Sequence, residues 1–165
     1  RTFLRSRPRI SLAGPVLTLA GYRDAQPYIL TFTLIDREQF DPDRPLLGTV
    51  WRVIGLIDGD VASSFAPRAA GATATVTFVA DGEDGATGRI EIRFPCNQGS
   101  IAYTARGTDQ YELSGIEATE MACEGDADKV EAQMRSVLTG TIAVDVTGAD
   151  LTLANGTKGL LLSPA

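Results

Sequence analysis

Histidine is absent from this 165-residue chain. Its absence removes Ser-His-Asp and Cys-His catalysis, His-ligated zinc and the usual switch at physiological pH. Cations are also few. There are 15 Lys plus Arg, only two of them lysines, against 21 Asp plus Glu, giving a net charge of -6. Nucleic-acid binding depends on clustered cations that neutralise phosphates, so no nucleic-acid partner is expected. The one basic cluster, Arg1, Arg5, Arg7 and Arg9, reads as a solvated strand and helix end. No apolar run reaches the ~18 residues that would mark a membrane-spanning helix, so no transmembrane segment is expected. Cysteines number two, Cys96 and Cys123. Without histidine or further cysteines they are too few for a structural zinc site, and no metal or cofactor is expected.

What remains is the composition of a folded protein, with 44% hydrophobic and 22% charged residues. The length suits one domain, or one domain plus a fragment of another. The N-terminal stretch Ile10 to Gly21, preceded by four arginines, imitates a secretory signal and ends in a Leu-Ala-Gly run. Tyr22 stands where a lipoprotein signal needs cysteine, and the chain opens on Arg rather than Met, as a processed or recombinant piece would. An internal repeat explains the stretch better. Leu4–Ala20 aligns with Leu138–Ala154 without a gap, with six identities in 17 positions and the glycines Gly14 and Gly148 in register. Both copies read as strand, tight turn, strand.

Period-two alternation marks the other strands. Ala72, Ala74, Val76 and Phe78 alternate with threonines, and Ile90, Ile92 and Phe94 alternate with charged residues after a glycine-rich turn. Further strands surround Tyr103, Tyr111, Val144, Leu151 and Leu160, and another runs from Tyr28 to Ile35. In the strand around Trp51, Trp51 and Val53 face one way and Val50, Ile54 and Leu56 the other, which predicts cover on both faces. One helix is expected, with Ala127, Val130, Met134, Val137 and Leu138 on its apolar face. Asp128 and Glu131 suit a capping box, Glu131 and Arg135 an i,i+4 pair, and Gly140 a stop. Arg37 to Pro45, with two prolines and no periodicity, reads as a linker and places a domain boundary near residue 40.

Three signatures in order resemble the META domain, or HslJ-like, family. Gly48-Thr49-Val50-Trp51 matches a "G-T-x-W" opening strand. Cys96-Asn97, with Tyr103 seven residues past the cysteine, resembles "G-C-N-x-x-x-G-x-Y". Thr119-Glu120-Met121-Ala122-Cys123 resembles "T-x-M-A-C" ahead of the helix, and Leu151-Thr152-Leu153 matches the closing "L-T-L" hairpin. Pro95 replaces the glycine before the cysteine, and Ile101 takes the usual glycine position, with Gly99 two residues earlier. The resemblance implies a mainly β (α+β) fold: a curled antiparallel sheet, or cracked barrel, with one packed amphipathic helix. Residues 1–40 are then the closing strands of a preceding META-like repeat plus linker, and 41–165 the META domain itself.

The resemblance also implies export to the bacterial periplasm or outer envelope, as a lipoprotein before processing, and no known reaction. In an exported protein two cysteines are expected to form a disulfide, worth roughly 3 to 4 kcal/mol for a loop of this size. Buried free thiols are the other reading, and Cys123 near the helix start keeps a reactive thiolate in view. The acidic turn Asp81, Glu83 and Asp84 lacks EF-hand spacing and reads as solvated. Glu117 and Glu120 show no cleft for acid–base work, and Asn155-Gly156-Thr157 reads as a hairpin turn rather than a glycosylation site.

The expected function is that of a non-catalytic envelope protein, structural or interacting, acting in envelope integrity or stress response, with other envelope proteins as partners. The alternative is a barrel holding an apolar small molecule or lipid, lined by Trp51, Phe78, Phe94 and Met134, although core filling is the plainer role for all four. An enzyme is the third and weakest reading. A monomer is expected, with dimerisation through the N-terminal strands as the other arrangement.

Overall fold

Alternation of apolar and polar residues produces strands along almost the whole chain, and closure of their hydrogen bonds decides what those strands build. The computed structural model describes residues 8–23, 26–36, 41–64, 73–123 and 125–165. Leu4, Ala72 and the linker residues 37–40 lie outside the described residues. The chain divides into two units, Arg1–Pro42 and Asp43–Ala165.

The first unit is an antiparallel meander of β1 (Arg9–Ala13), β2 (Val16–Arg23) and β3 (Gln26–Thr33). Cross-strand pairing puts Ile10, Leu19 and Leu30 in one row and Leu12, Leu17 and Phe32 in the next. Those rows share one face, while Arg9, Ser11, Thr18 and Thr31 occupy the other. Ile10 and Leu12 on the apolar face are 67% and 69% exposed.

The second unit contains β4 (Val50–Asp58), β5 (Val61–Ser64), β6 (Thr75–Ala80), β7 (Thr87–Arg93), β8 (Gln98–Ala105), β9 (Gln110–Leu113), β10 (Glu117–Ala118), α1 (Asp126–Val137), β11 (Thr141–Thr147), β12 (Asp150–Asn155) and β13 (Lys158–Pro164). Eight of the strands follow the order β8-β7-β6-β4-β13-β12-β11-β9, and pairing of β8 with β9 closes the ring. The curled sheet expected from the sequence therefore goes as far as a closed antiparallel barrel, and closure removes the open edges of those eight strands. Short β5 and β10 pair beside the ring, with β4 and β8.

Inward side chains fill the barrel. Trp51, Val76, Phe78, Ile90, Met134, Leu151, Leu153, Leu160 and Leu162 are all fully buried. The helix packs against β12 and β13 through Val130, Met134, Val137 and Leu138. Gln133 ties it to β4 by donating from Nε2 to the Ile57 carbonyl, 2.7 Å away.

Two local expectations are corrected. The outer face of β4 is not covered as expected: Val50 and Ile54 are exposed, whereas Leu56, placed with them by alternation, is half-buried against the core beyond a register shift in the β4–β13 pairing. The capping box does not form. Gly125 is the N-cap, no side-chain cap hydrogen bond is made, and Glu131 points into the protein instead of back to the helix start.

Candidate functional site

The family signatures converge on two places in the barrel. At its start, the Gly48-Thr49-Val50-Trp51 stretch latches the chain onto β4. Gly48 donates its N–H to the Phe78 carbonyl at 2.9 Å, and the Thr49 hydroxyl donates to the Pro45 carbonyl at 2.6 Å. The Trp51 indole donates to the Leu46 carbonyl at 3.2 Å while its ring fills the core. Tryptophan suits this position because it combines a large apolar body with one donor that needs a partner.

The second place brings together the other two signatures. Cys96, after β7, and Cys123, before α1, are joined by a disulfide with a Cα–Cα distance of 5.8 Å. A four-residue turn, in which Phe94 donates its N–H to the Asn97 carbonyl at 2.8 Å, presents Asn97 beside the bridge. Pro95, the departure from the family pattern, fits within this turn, where Phe94 rather than Pro95 supplies the N–H.

Asn97 is only 6% exposed. Its Nδ2 donates to the Met121 carbonyl at 3.0 Å and to the Glu131 carboxylate at 2.9 and 3.1 Å. Its Oδ1 accepts from the Thr119 hydroxyl at 2.8 Å and from the Met121 N–H at 2.7 Å. An amide has two N–H donors and two acceptor lone pairs, and each of these has a partner here. The Thr119 hydroxyl in turn accepts from the Gln98 N–H at 3.2 Å. Met121 serves through its backbone, and its side chain is exposed.

Glu131, also 6% exposed, completes the knot. Arg135 donates to its Oε1 from Nε at 3.0 Å and from the terminal guanidinium nitrogen at 2.8 Å. The guanidinium also stands over the Phe94 ring, 4.7 Å from its centroid. A buried carboxylate thus receives an ion pair and an amide donor, the partners that burial of such a group calls for. Glu131 Oε2 lies 3.3 Å from the Cys123 sulfur. Cys96, Cys123 and Glu131 present their ligand-type atoms within 4.8 Å of one another. The two sulfurs are bonded to each other and the carboxylate is engaged by Asn97 and Arg135, so the arrangement clamps the loop before α1 to the β7–β8 turn.

The i,i+4 pairing of Glu131 with Arg135 expected from the sequence forms, while the part of both residues in this knot was missed. A signal for it exists: residues 127, 131, 134 and 138 fall at spacings of four, three and four, so Glu131 lies in the apolar stripe.

Tyr103, the last residue of the cysteine signature, lies elsewhere. It sits opposite Gly88 across the β7–β8 ladder and forms a three-ring cluster with Phe78 and Tyr111, with centroids 5.4 to 5.7 Å apart. A Cβ at Gly88 would run into the Val79 carbonyl and would lie 2.8 Å from the Tyr103 phenol. Glycine is therefore required at position 88 for space. The Tyr103 hydroxyl is buried with no hydrogen-bond partner among the described residues. Burial, followed by the neighbouring Tyr111, Asp81 and Asp84, raises its pKa, and burial raises that of Tyr111.

Of the four residues named for an apolar ligand, Trp51, Phe78 and Met134 are fully buried and Phe94 is 2% exposed, all within the core cluster. The acidic turn at Asp81, Glu83 and Asp84 is an exposed hairpin tip, and Asn155-Gly156 forms the β12–β13 turn. No helix among the described residues is long and apolar enough to cross a membrane.

A closed eight-stranded antiparallel barrel packed with one helix, its first-strand latch and cysteine-linked loop built from short ordered signatures, defines the class. The META domain pattern matches residues 44–165, and the chain belongs to the META domain family. Two structures solved by NMR share the fold. One, a protein from Burkholderia xenovorans, is 18% identical with a TM-score of 0.56, over 73% of this chain and 83% of its own. Another is 18% identical with a TM-score of 0.51, over 79% of this chain and 95% of its own. No curated protein matches the chain.

Proposed function

We propose that this chain is a non-catalytic component of the bacterial cell envelope, exported to the periplasm or outer envelope and a lipoprotein before processing. Its role is structural or interactive, in envelope integrity or stress response, with other envelope proteins as partners. The observation that carries the reading is the Cys96–Cys123 bridge, which with Asn97 and Glu131 ties the loop before α1 to the barrel. A disulfide of this kind persists in oxidising compartments and is rare in reducing ones. Within the knot the polar groups are used on one another, as a clamp requires and as a nucleophile with its base does not. Membership of the META family supports a non-enzymatic role.

The alternative reading, a barrel for an apolar molecule or lipid, would require Trp51, Phe78, Phe94 and Met134 to part, since they pack together in the core. A monomer is the working state, with association through β1–β3 as the alternative. Thiol titration of protein isolated from its native compartment, denatured without reductant, tests the main reading. No titratable thiol is expected. Two thiols per chain would remove the bridge and the argument for export together.

A further inference from the structure

We propose that β1, β2 and β3 are the closing strands of a second META barrel, and that their apolar face receives the opening strands and helix of that barrel from polypeptide ahead of β1. The inference stands apart from the envelope role and rests on an equivalence of register. In the barrel, Val144 pairs with Leu153 and Val146 with Leu151, and β12 then pairs Leu153 with Leu160 and Leu151 with Leu162. In the N-terminal sheet, Ile10 pairs with Leu19 and Leu12 with Leu17, and β2 then pairs Leu19 with Leu30 and Leu17 with Phe32. The two sheets carry the same two rows of three apolar side chains.

The sequence offset that superposes Leu4 on Leu138 also superposes all five residue pairs of the first hairpin. The turn glycines agree, with Gly14 at φ 56° and Gly148 at φ 61°. Local similarity does not guarantee this, because a slip of one residue would send every side chain to the opposite face. The second hairpin departs only in length, reaching two residues further along each strand before it turns.

What differs is the cover. Val144 is 6% exposed and Leu151, Leu153, Leu160 and Leu162 are fully buried, whereas Ile10 and Leu12 are 67% and 69% exposed and Phe32 is 48% exposed. In the barrel this face meets the other strands and α1, and the outer edges of β11 and β13 pair with β9 and β4. The N-terminal sheet has the face and the two edges without those partners in its own three-stranded sheet. The occupant it fits is therefore a set of antiparallel strands with an alternating apolar inner face plus one amphipathic helix, equivalent to β4–β9 and α1. In a META domain those elements come before the closing three strands, which puts their source ahead of β1 in the same polypeptide. Leu17, Leu19 and Leu30 in the middle of the face are half-buried, and an apolar face that exposes Ile10, Leu12 and Phe32 around them marks a surface that takes a partner.

The test compares this 165-residue chain with the natural polypeptide extended ahead of Arg1 by a domain's length, about 100 residues. Amide exchange and sedimentation are measured on both. In the 165-residue monomer, amides of residues 9–33 should exchange roughly 100-fold or more faster than in the extended polypeptide. The extended polypeptide should also show a second cooperative melting transition. Leu12→Asp should abolish that transition and leave the transition of residues 43–165 in place. An encoded polypeptide with no such strand set ahead of β1 overturns the proposal. So does full protection of residues 9–33 in the 165-residue monomer, which would mean cover by the barrel of the same chain. Protection that appears only in a dimer assigns the face to a second copy and overturns it equally.

Discussion

Strands β1–β3 and β11–β13 are built from the same pattern and end in different surroundings. Each is an antiparallel meander with a glycine turn and two rows of three apolar side chains. One set forms part of a closed ring with a buried core, and in the other Ile10, Leu12 and Phe32 are exposed. The difference teaches that alternation selects a strand and its inner face, while burial depends on what else the chain brings to that face. The energetic weight of a residue follows burial, so equivalent positions in the two sheets should respond unequally to the same change.

The largest contrast is expected at the equivalent pair Leu162 and Phe32. Leu162→Ala should cost about 2–5 kcal/mol, since it leaves a cavity in a packed core. Phe32→Ala should change stability by no more than about 1 kcal/mol. Denaturation followed by the fluorescence of Trp51, the only tryptophan and a residue of the barrel core, measures both. A Phe32→Ala loss as large as that of Leu162→Ala would break the comparison.

A smaller effect belongs to the polar knot, which has its two cysteines and its buried amide on the barrel side alone. Asn97→Ala should cost about 3 kcal/mol, because it strands the Met121 N–H and carbonyl and removes a donor from the Glu131 carboxylate. Asn97→Asp should cost more, since it sets a second carboxylate within hydrogen-bonding distance of Glu131. The same fluorescence assay reads both variants. An Asn97→Ala loss below about 0.5 kcal/mol would show that the knot is ornamental to the barrel's stability.

The smallest effect is expected at Tyr103, which separates packing from polar satisfaction within the barrel. Tyr103→Phe removes a buried hydroxyl with no partner among the described residues and keeps the ring over Gly88. At neutral pH it should be neutral or stabilising by up to about 1 kcal/mol. The alkaline limb gives a second readout. The fold holds Tyr103 and Tyr111 neutral by raising their pKa above the ordinary value of 10.0. Above that value the unfolded chain loses these protons first. The stabilisation from the neutral phenols is therefore complete below about pH 10 and declines as pH rises through the folded pKa. Tyr103→Phe should shift the onset of alkaline unfolding upward in a pH titration of the melting temperature. An onset that stays in place would assign the alkaline limb to other groups.

Much of the site was legible in the sequence, though unevenly. The signatures around Trp51, Cys96-Asn97 and Thr119 to Cys123 pointed to residues that the fold uses, and the cysteine pair forms the disulfide that was expected ahead of buried free thiols. The sequence places Glu131 in a capping box with Asp128 and in an i,i+4 pair with Arg135, because an acidic residue near a helix start commonly serves in those ways. Only its spacing with Ala127, Met134 and Leu138 hinted that it turned inward. The four hydrogen-bonding positions of Asn97 could not be read, since their partners come from residues 22 to 34 positions away. The two-sided cover expected for β4 failed for a related reason: apolar residues on both faces of a strand do not say whether a second layer exists.

By itself the sequence determined the strands, their inner faces, the turn at Gly14 and at Gly148, and the absence of histidine chemistry. Those features depend on neighbours in the chain, where steric preference and period-two alternation act directly. Closure of β8 on β9, the inward turn of Glu131, the Tyr103 hydroxyl without a partner among the described residues and the exposure of Ile10, Leu12 and Phe32 were decided by tertiary structure. Each depends on groups brought together from distant parts of the chain, and whether a buried surface or polar atom finds a partner is a property of that meeting.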